Sequence, residues 1–155
     1  MPVEEREVPI VLRQALPQDE DFLLSLFVSA CARMLEHLPL DAAGKRSLIE
    51  SQYRAMTSSR QQLFPNCSRE IVIVGQQPAG YFSVDRNETR IHIVDITMLP
   101  LFQNKGTGST LLLRILAEAD ERRIPVDLRV KRSNPAKHLY ERLGFKTVAD
   151  DGVFV

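Results

Sequence analysis

Apolar and polar positions divide the chain into segments of two periods. Residues 8–13 read V-P-I-V-L-R, a short β-branched run whose Pro9 suits a strand start or an edge. From Asp19, a residue type that caps helix N-termini, apolar residues return at Phe22, Leu26, Phe27, Ala30 and Met34. That is the spacing of one helical face, and Pro39 should end the helix. A weaker helical pattern spans residues 44–64 through Leu48, Ile49, Tyr53, Met56 and Leu63, with Pro65 as its stop. The texture then changes. Residues 71–74, 80–84 and 91–98 are β-rich and separated by Q-Q-P-A and D-R-N-E-T, which predicts an antiparallel meander of three strands.

A helix is predicted from Gly106 or Thr107 to about Glu121, its buried stripe Leu111, Leu112, Ile115, Leu116 and Ala119. Residues 125–130 read as another strand. Asn134-Pro135 opens a short helix, and Gly144 stands where a left-handed residue closes one. Residues 145–149 and 153–155 pair as a hairpin across D-D-G, and the chain stops inside this strand, so a further segment is expected. The order β α α β β β α β α β β argues a mixed α/β (α+β) sheet, and no linker or repeat divides residues 1–155, which are expected to form one domain.

Composition narrows the function. With 44% apolar residues in 155 the chain carries enough for a core, and 20 basic against 20 acidic residues leave no net charge. A dedicated nucleic-acid binder would show a basic excess. Cys31 and Cys67 have neither zinc-site spacing nor the density of a disulfide scaffold, so a reducing, cytoplasmic setting is expected. The acidic, proline-broken N-terminus does not read as a secretory signal, and no apolar run is long enough to cross a bilayer.

Chemistry concentrates in residues 96–113, I-T-M-L-P-L-F-Q-N-K-G-T-G-S-T-L-L-L. Gly106 and Gly108 let backbone N–H groups approach a ligand, and the helix behind them offers unpaired donors at its positive end, a cradle for a pyrophosphate. Lys105 adds a charge, and Ser109 or Thr110 a hydroxyl. Neither the P-loop spacing nor the three-glycine dinucleotide fingerprint is present, which disfavours an ordinary kinase or dehydrogenase. A second segment, residues 133–145, reads S-N-P-A-K-H-L-Y-E-R-L-G-F. Its Asn134 can bond a polar ligand at the helix start, and Tyr140 is either a packed aromatic or a proton donor.

Together these segments resemble the GNAT superfamily of N-acetyltransferases. The acyl-CoA motif [RQ]-x-x-G-x-[GA] is met by Gln103, Gly106 and Gly108. The later pattern N-x-x-A-x-x-L-Y-x-x-x-G-F is met at Asn134, Leu139, Tyr140, Gly144 and Phe145, with the alanine at position 136, a spacing loosened at one residue. The resemblance implies a GNAT fold, a mixed, mostly antiparallel sheet of about 6–7 strands with helices on both faces and a splay between strands 4 and 5. It implies acetyl-CoA as cosubstrate, whose pantetheine arm enters that splay. Gln103, Asn104, Lys105, Gly106, Thr107, Gly108 and Ser109 would hold the pyrophosphate through backbone N–H groups, and the Met98 backbone would bond the pantetheine or the thioester carbonyl. Asn134 and Lys137 would contact the cofactor, and Tyr140 would protonate the departing thiolate.

Aminolysis of a thioester also requires a neutral amine, which points to a base on the central strand. In I-H-I-V-D-I-T-M, Asp95 and His92 are three positions apart and fall on opposite faces of a regular strand, His92 sharing the face of Met98, unless a bulge intervenes. Both are candidates for the base: Asp95 is preferred, since the family often places an acidic residue on this strand, His92 is the second choice as a side chain that titrates near neutrality, and a strand with no base at all is the further alternative. Arg129 stands where some members carry a glutamate and cannot serve that role. His37 and His138 lack partners at ligand spacing, and no metal is expected. Cys31 reads as a small buried hydrophobe and Cys67 as a loop residue. In the run Arg122, Arg123, Arg129, Lys131 and Arg132, one or two residues could meet the 3′-phosphate of coenzyme A.

The expected function is acetyl transfer from acetyl-CoA to a primary amine of a small molecule or peptide, by direct attack in a ternary complex. No metal, nucleic acid or membrane is involved, and the protein is expected to be a monomer or homodimer. The alternatives are a non-catalytic acyl-CoA-binding sensor or partner module on the same fold, and a nucleotide-phosphate binder. Glu36, Asp41 and Glu50 could attract a cationic amine, but solvated surface is the preferred account of them.

Overall fold

The computed structural model describes residues 9–130 and 136–146, the side chains of Arg33 and Met34 excepted. Asn134, the Asn134-Pro135 helix opening and most of the expected terminal hairpin lie outside the described residues. Five strands form one sheet in the order β1-β2-β3-β4-β5: β1 (Ile10–Gln14), β2 (Glu70–Val74), β3 (Gln77–Arg86), β4 (Ile91–Met98) and β5 (Val126–Leu128). The first four pair antiparallel, and β4 pairs parallel with β5. Against the 6–7 strands expected, the described residues hold five, and Phe145 and Lys146 are in no strand.

Helices α1 (Glu20–Glu36) and α2 (Ala42–Leu63) cover one face of the sheet, and α3 (Thr107–Arg122) and α4 (Ala136–Arg142) the other. The second face holds the main core. Val72, Phe82, Val84, Ile91 and Ile93 from the strands meet Leu111, Leu112, Ile115 and Ala119 of α3, the stripe read from the sequence save Leu116, which is half-buried. Each such side chain contributes about 1.5–3 kcal/mol by leaving water, so this layer anchors α3 and the loop that precedes it. Among the described side chains of α1, Leu23 and Leu26 are buried.

Three local expectations are corrected. Asp19 does not cap α1: its carboxylate takes two 2.8 Å hydrogen bonds from Arg13 of β1 and one of 2.7 Å from the Leu16 N–H. Pro17 starts a 3₁₀ turn at Pro17–Asp19, so the free amide nearest Asp19 lies before α1 rather than inside it. Asp41, by contrast, caps α2 through the Gly44 N–H at 2.7 Å. The β2–β3 turn is Gly75-Gln76, with φ of 56° and 76°. Positive φ at both central residues matches the twist of the flanking strands, and Gln77 and Pro78 belong to β3, where a register shift absorbs one extra residue.

The third correction concerns β4. Ser83 pairs with Asp95 but Val84 with Ile93, so Val94 is an extra residue on β4. The bulge reverses the alternation of side chains, which restores a common face to residues an odd number apart. Ile91, Ile93, Ile96 and Met98 therefore face the α3 core, while His92, Asp95 and Thr97 face α1 and α2. His92 does not share the face of Met98. Among the described residues no helix is long and apolar enough to cross a membrane.

Candidate active site

β4 and β5 pair at three positions only: Ile91 with Val126, His92 with Asp127, Ile93 with Leu128. β5 ends at Leu128, and β4 bulges at Val94 and runs on to Met98 with no strand beside it on that side among the described residues. The two strands thus splay where the bulge re-aims β4. The Leu99 N–H bonds the Ala79 carbonyl at 2.8 Å, and backbone groups alternate along a strand, so the N–H and C=O of Met98 point away from β3 into the splay. Gln103 Nε2 donates to that Met98 carbonyl at 3.1 Å.

The residue that makes room for this arrangement is Gly80, opposite Met98. A Cβ on Gly80 would press on the Thr97 carbonyl, lie 2.6 Å from Met98 Sδ and 3.1 Å from Met98 Cα. Glycine here permits a close backbone approach. A glycine inside a β-rich run is the one sign of this in the sequence, and it looks like any strand glycine.

Beyond β4 the chain makes a 3₁₀ turn at Pro100–Phe102 and enters α3 through Gly106, whose φ is 82°. The Gln103 N–H is taken by the Pro100 carbonyl at 3.2 Å, so Gln103 contributes its side chain rather than its amide, a correction to its expected role. From Asn104 to Ser109 no N–H has a protein acceptor among the described residues, and Gly106 carries no side-chain cap. The first helical bond is Thr110 N–H to Gly106 O, 3.0 Å. Successive free donors at a helix N-terminus, with exposed Lys105 beside them, fit a diphosphate. Gly108 faces inward, where a Cβ would meet Leu139 Cδ2 at 3.7 Å and Ile96 Cδ1 at 3.9 Å.

Tyr140 of α4 is buried at the splay side, against Phe145 with ring centroids 6.0 Å apart. A small hollow beside it is walled by Leu128, Val130 and half-buried Lys137. Its hydroxyl has no hydrogen-bond partner among the described residues, and no sealed polar atom there lacks one, so the hydroxyl opens onto accessible space. Burial first, and then the negative charge of Asp95, push the phenol up to about 12. Tyr140 thus keeps its proton at neutral pH.

On the other face, Asp95 receives the Arg60 guanidinium at 2.8 Å and the Thr97 hydroxyl at 2.7 Å. It lines a cavity of about 80 Å³ between α1, α2 and the sheet. Asp95 thus lines the cavity, and its negative charge also raises the Tyr140 phenol. His92 lines neither hollow. Its Nδ1 lies 2.7 Å from Asp127 Oδ1, and its ring stacks on Phe64 at 4.9 Å. Burial raises the Asp127 carboxyl, but hydrogen bonds from His92 and Arg90 outweigh it and hold the group below its ordinary range. His92 thus ties β4 to β5 just before they part.

Sequence reasoning missed Arg60, because a polar residue late in a weakly amphipathic helix gives no sign that it meets a strand 35 residues on. Glu36, Asp41 and Glu50 are not in the cavity lining, and Glu50 pairs with Arg46. Arg122 is held by the Asn87 carbonyl at 2.7 Å and by Glu118. Cys67 does line the cavity.

Comparison with known proteins agrees with this fold. No curated protein matches the chain in sequence. Among solved structures it is similar to the PaiA N-acetyltransferase of Thermoplasma acidophilum in complex with coenzyme A, at 18% identity, 94% of this chain, 96% of that one and a TM-score of 0.67. It is similar also to an acetyltransferase from Thermus thermophilus, at 20% identity over 96% of both chains with a TM-score of 0.64. A third is Naa50 of Arabidopsis thaliana in complex with the bisubstrate analogue CoA-Ac-MVNAL, at 15% identity, 92% of this chain, 86% of that one and a TM-score of 0.57. Residues 44–154 match the model of the acetyltransferase (GNAT) domain, and the chain belongs to that family.

Proposed function

We propose that the protein transfers an acetyl group from acetyl-CoA to a primary amine by direct attack in a ternary complex. Acetyl-CoA is the cosubstrate, and when bound it supplies the acyl group as an activated thioester. The observation that carries the reading is the row of unpaired N–H groups from Asn104 to Ser109 beside the open edge of β4. Those amides and Lys105 hold the diphosphate, and Met98 presents its backbone to the arm. Lys137, and Asn134 beyond the described residues, contact the cosubstrate from the side of α4.

Tyr140 holds a proton on its hydroxyl at neutral pH and is placed to release it to a departing sulfur. The acceptor amine, with a reference pKa of ~10.4 if lysine-like, must shed a proton before it attacks. Asp95 is the group that draws in the ammonium and receives that proton, directly or through water; His92, engaged by Asp127 and Phe64, keeps the base of the splay in place. The analogue bound to the Arabidopsis neighbour is bisubstrate, in keeping with two substrates held together.

Titration calorimetry with acetyl-CoA and ATP, followed by thiol release across amines and peptides, tests the proposal. Preference for acetyl-CoA and amine-dependent release is the expected result. Preference for ATP would overturn it, and tight acetyl-CoA binding with no release for any amine would leave a non-catalytic acyl-CoA-binding module.

A further inference from the structure

The cavity that Asp95 closes has a composition of its own. Leu23, Leu26, Phe27 and Met56 form much of its wall, with Asp95 and Thr97 from β4 on the sheet side. Its charged groups cancel in pairs: Arg60 lies on Asp95 at 2.8 Å, and Arg69 bonds the Tyr81 hydroxyl at 3.1 Å with Glu20 at 3.8 Å. A multiply charged ligand would find no spare counter-charges among these groups. At about 80 Å³ the space is roughly half the ~150 Å³ cavity that takes a benzene ring, room for roughly three to four carbon atoms.

We infer that the acceptor is a monoamine carrying one short apolar substituent, which lodges between α1 and α2 while its ammonium meets Asp95. The inference rests on the transferase reading above and adds the acceptor's chemistry to it. Asp95 lines the cavity from β4, the strand whose far end runs past its pairing with β5, so an amine seated against it lies beside the open stretch of that strand. Arg60, whose side chain is 31% exposed, holds the carboxylate in place and withdraws toward solvent as the ammonium replaces it. It is a positioning residue. Polyamines and dicarboxylates fit poorly, since their second charge would be buried among apolar side chains without a partner.

The test is a homologous series of straight-chain amines, methylamine to hexylamine, with spermidine as comparison. Thiol release is measured alongside calorimetry of each amine with the coenzyme A complex. Each added methylene should raise kcat/KM and amine affinity about fourfold, levelling near four carbons, with spermidine at least tenfold below butylamine. Ala30→Phe, at the cavity lining, should lower butylamine affinity about tenfold without moving acetyl-CoA affinity. Met56→Ala should shift the optimum one or two carbons longer. Amine-dependent thiol release that is flat along the series, or that prefers spermidine, overturns this inference and leaves acetyl transfer standing; no release for any amine overturns the transferase reading and this inference with it. Failure of acetyl-CoA to bind removes both.

Discussion

Replacing Gly80 with alanine adds one methyl group where β3 lies against Thr97 and Met98 of β4. The new carbon would lie 2.6 Å from Met98 Sδ and 3.1 Å from Met98 Cα, and against the Thr97 carbonyl. Unstrained carbon contacts fall near ~3.5–4.0 Å. The sulfur ends a flexible side chain and can swing away. The carbonyl and Cα are backbone, so β4 itself must move. Overpacking of this kind costs about 1–3 kcal/mol, and with backbone on the far side the upper end applies. For a domain of this size each kcal/mol lowers Tm by about 2–4 °C, so Gly80→Ala should melt roughly 6–12 °C below the parent. Because Met98 presents its backbone to the splay, acetyl-CoA affinity should fall as well. Gly108→Ala is the control: its methyl meets Leu139 and Ile96 at 3.7 and 3.9 Å, ordinary contacts. Removing glycine freedom there should leave Tm unchanged or raise stability by up to about 1 kcal/mol. Thermal unfolding followed by circular dichroism decides the matter. A Gly80→Ala protein melting within 1 °C of the parent, or a Gly108→Ala protein falling as far as Gly80→Ala, would refute the close-approach argument.

Two further outcomes follow from the charges. Tyr140→Phe keeps the ring and loses the proton, so kcat should drop about 100-fold with acetyl-CoA affinity within about twofold; unchanged kcat would leave Tyr140 structural, and a basic limb around pH 8 that the substitution abolished would contradict a phenol raised to about 12. The hydrogen bonds from Arg13, the larger cause, and the Leu16 N–H hold Asp19 at about 2 against an ordinary 3.8. A carboxyl lowered on folding stabilises fully above its unfolded value and loses that contribution as protons bind, so stability should fall between about pH 4 and pH 2. In Asp19→Asn, acid unfolding curves should lose the part of this decline due to Asp19, and an unaltered curve would show that the pair contributes nothing.

Much of the site is legible in the sequence because its residues are local there. The donors from Asn104 to Ser109 and the apolar stripe of α3 follow one another along the chain, and their chemistry needs only a loop entering a helix. Gly144 reads as a left-handed terminator and has φ of 101°. Asp19 reads as a cap and is not one, because a carboxylate goes to whichever free N–H and cation lie nearest, and Arg13 on β1 supplies the cation. The faces of Asp95 and His92 are illegible for a similar reason: periodicity assumes regular pairing, and a bulge shows in no residue type.

The order of elements, the sheet with its covering helices, and the glycine-containing start of α3 with its unpaired donors were determined by the sequence itself, since hydrophobic period, glycine and helix-end chemistry act over a few residues. What tertiary structure alone decided was which groups meet. Val94 turns Asp95 toward α1 and α2, Gly80 lets β4 approach, and Arg60 crosses from α2 to the carboxylate. Each of these depends on register and on the packing of segments far apart in the chain, which no local pattern encodes.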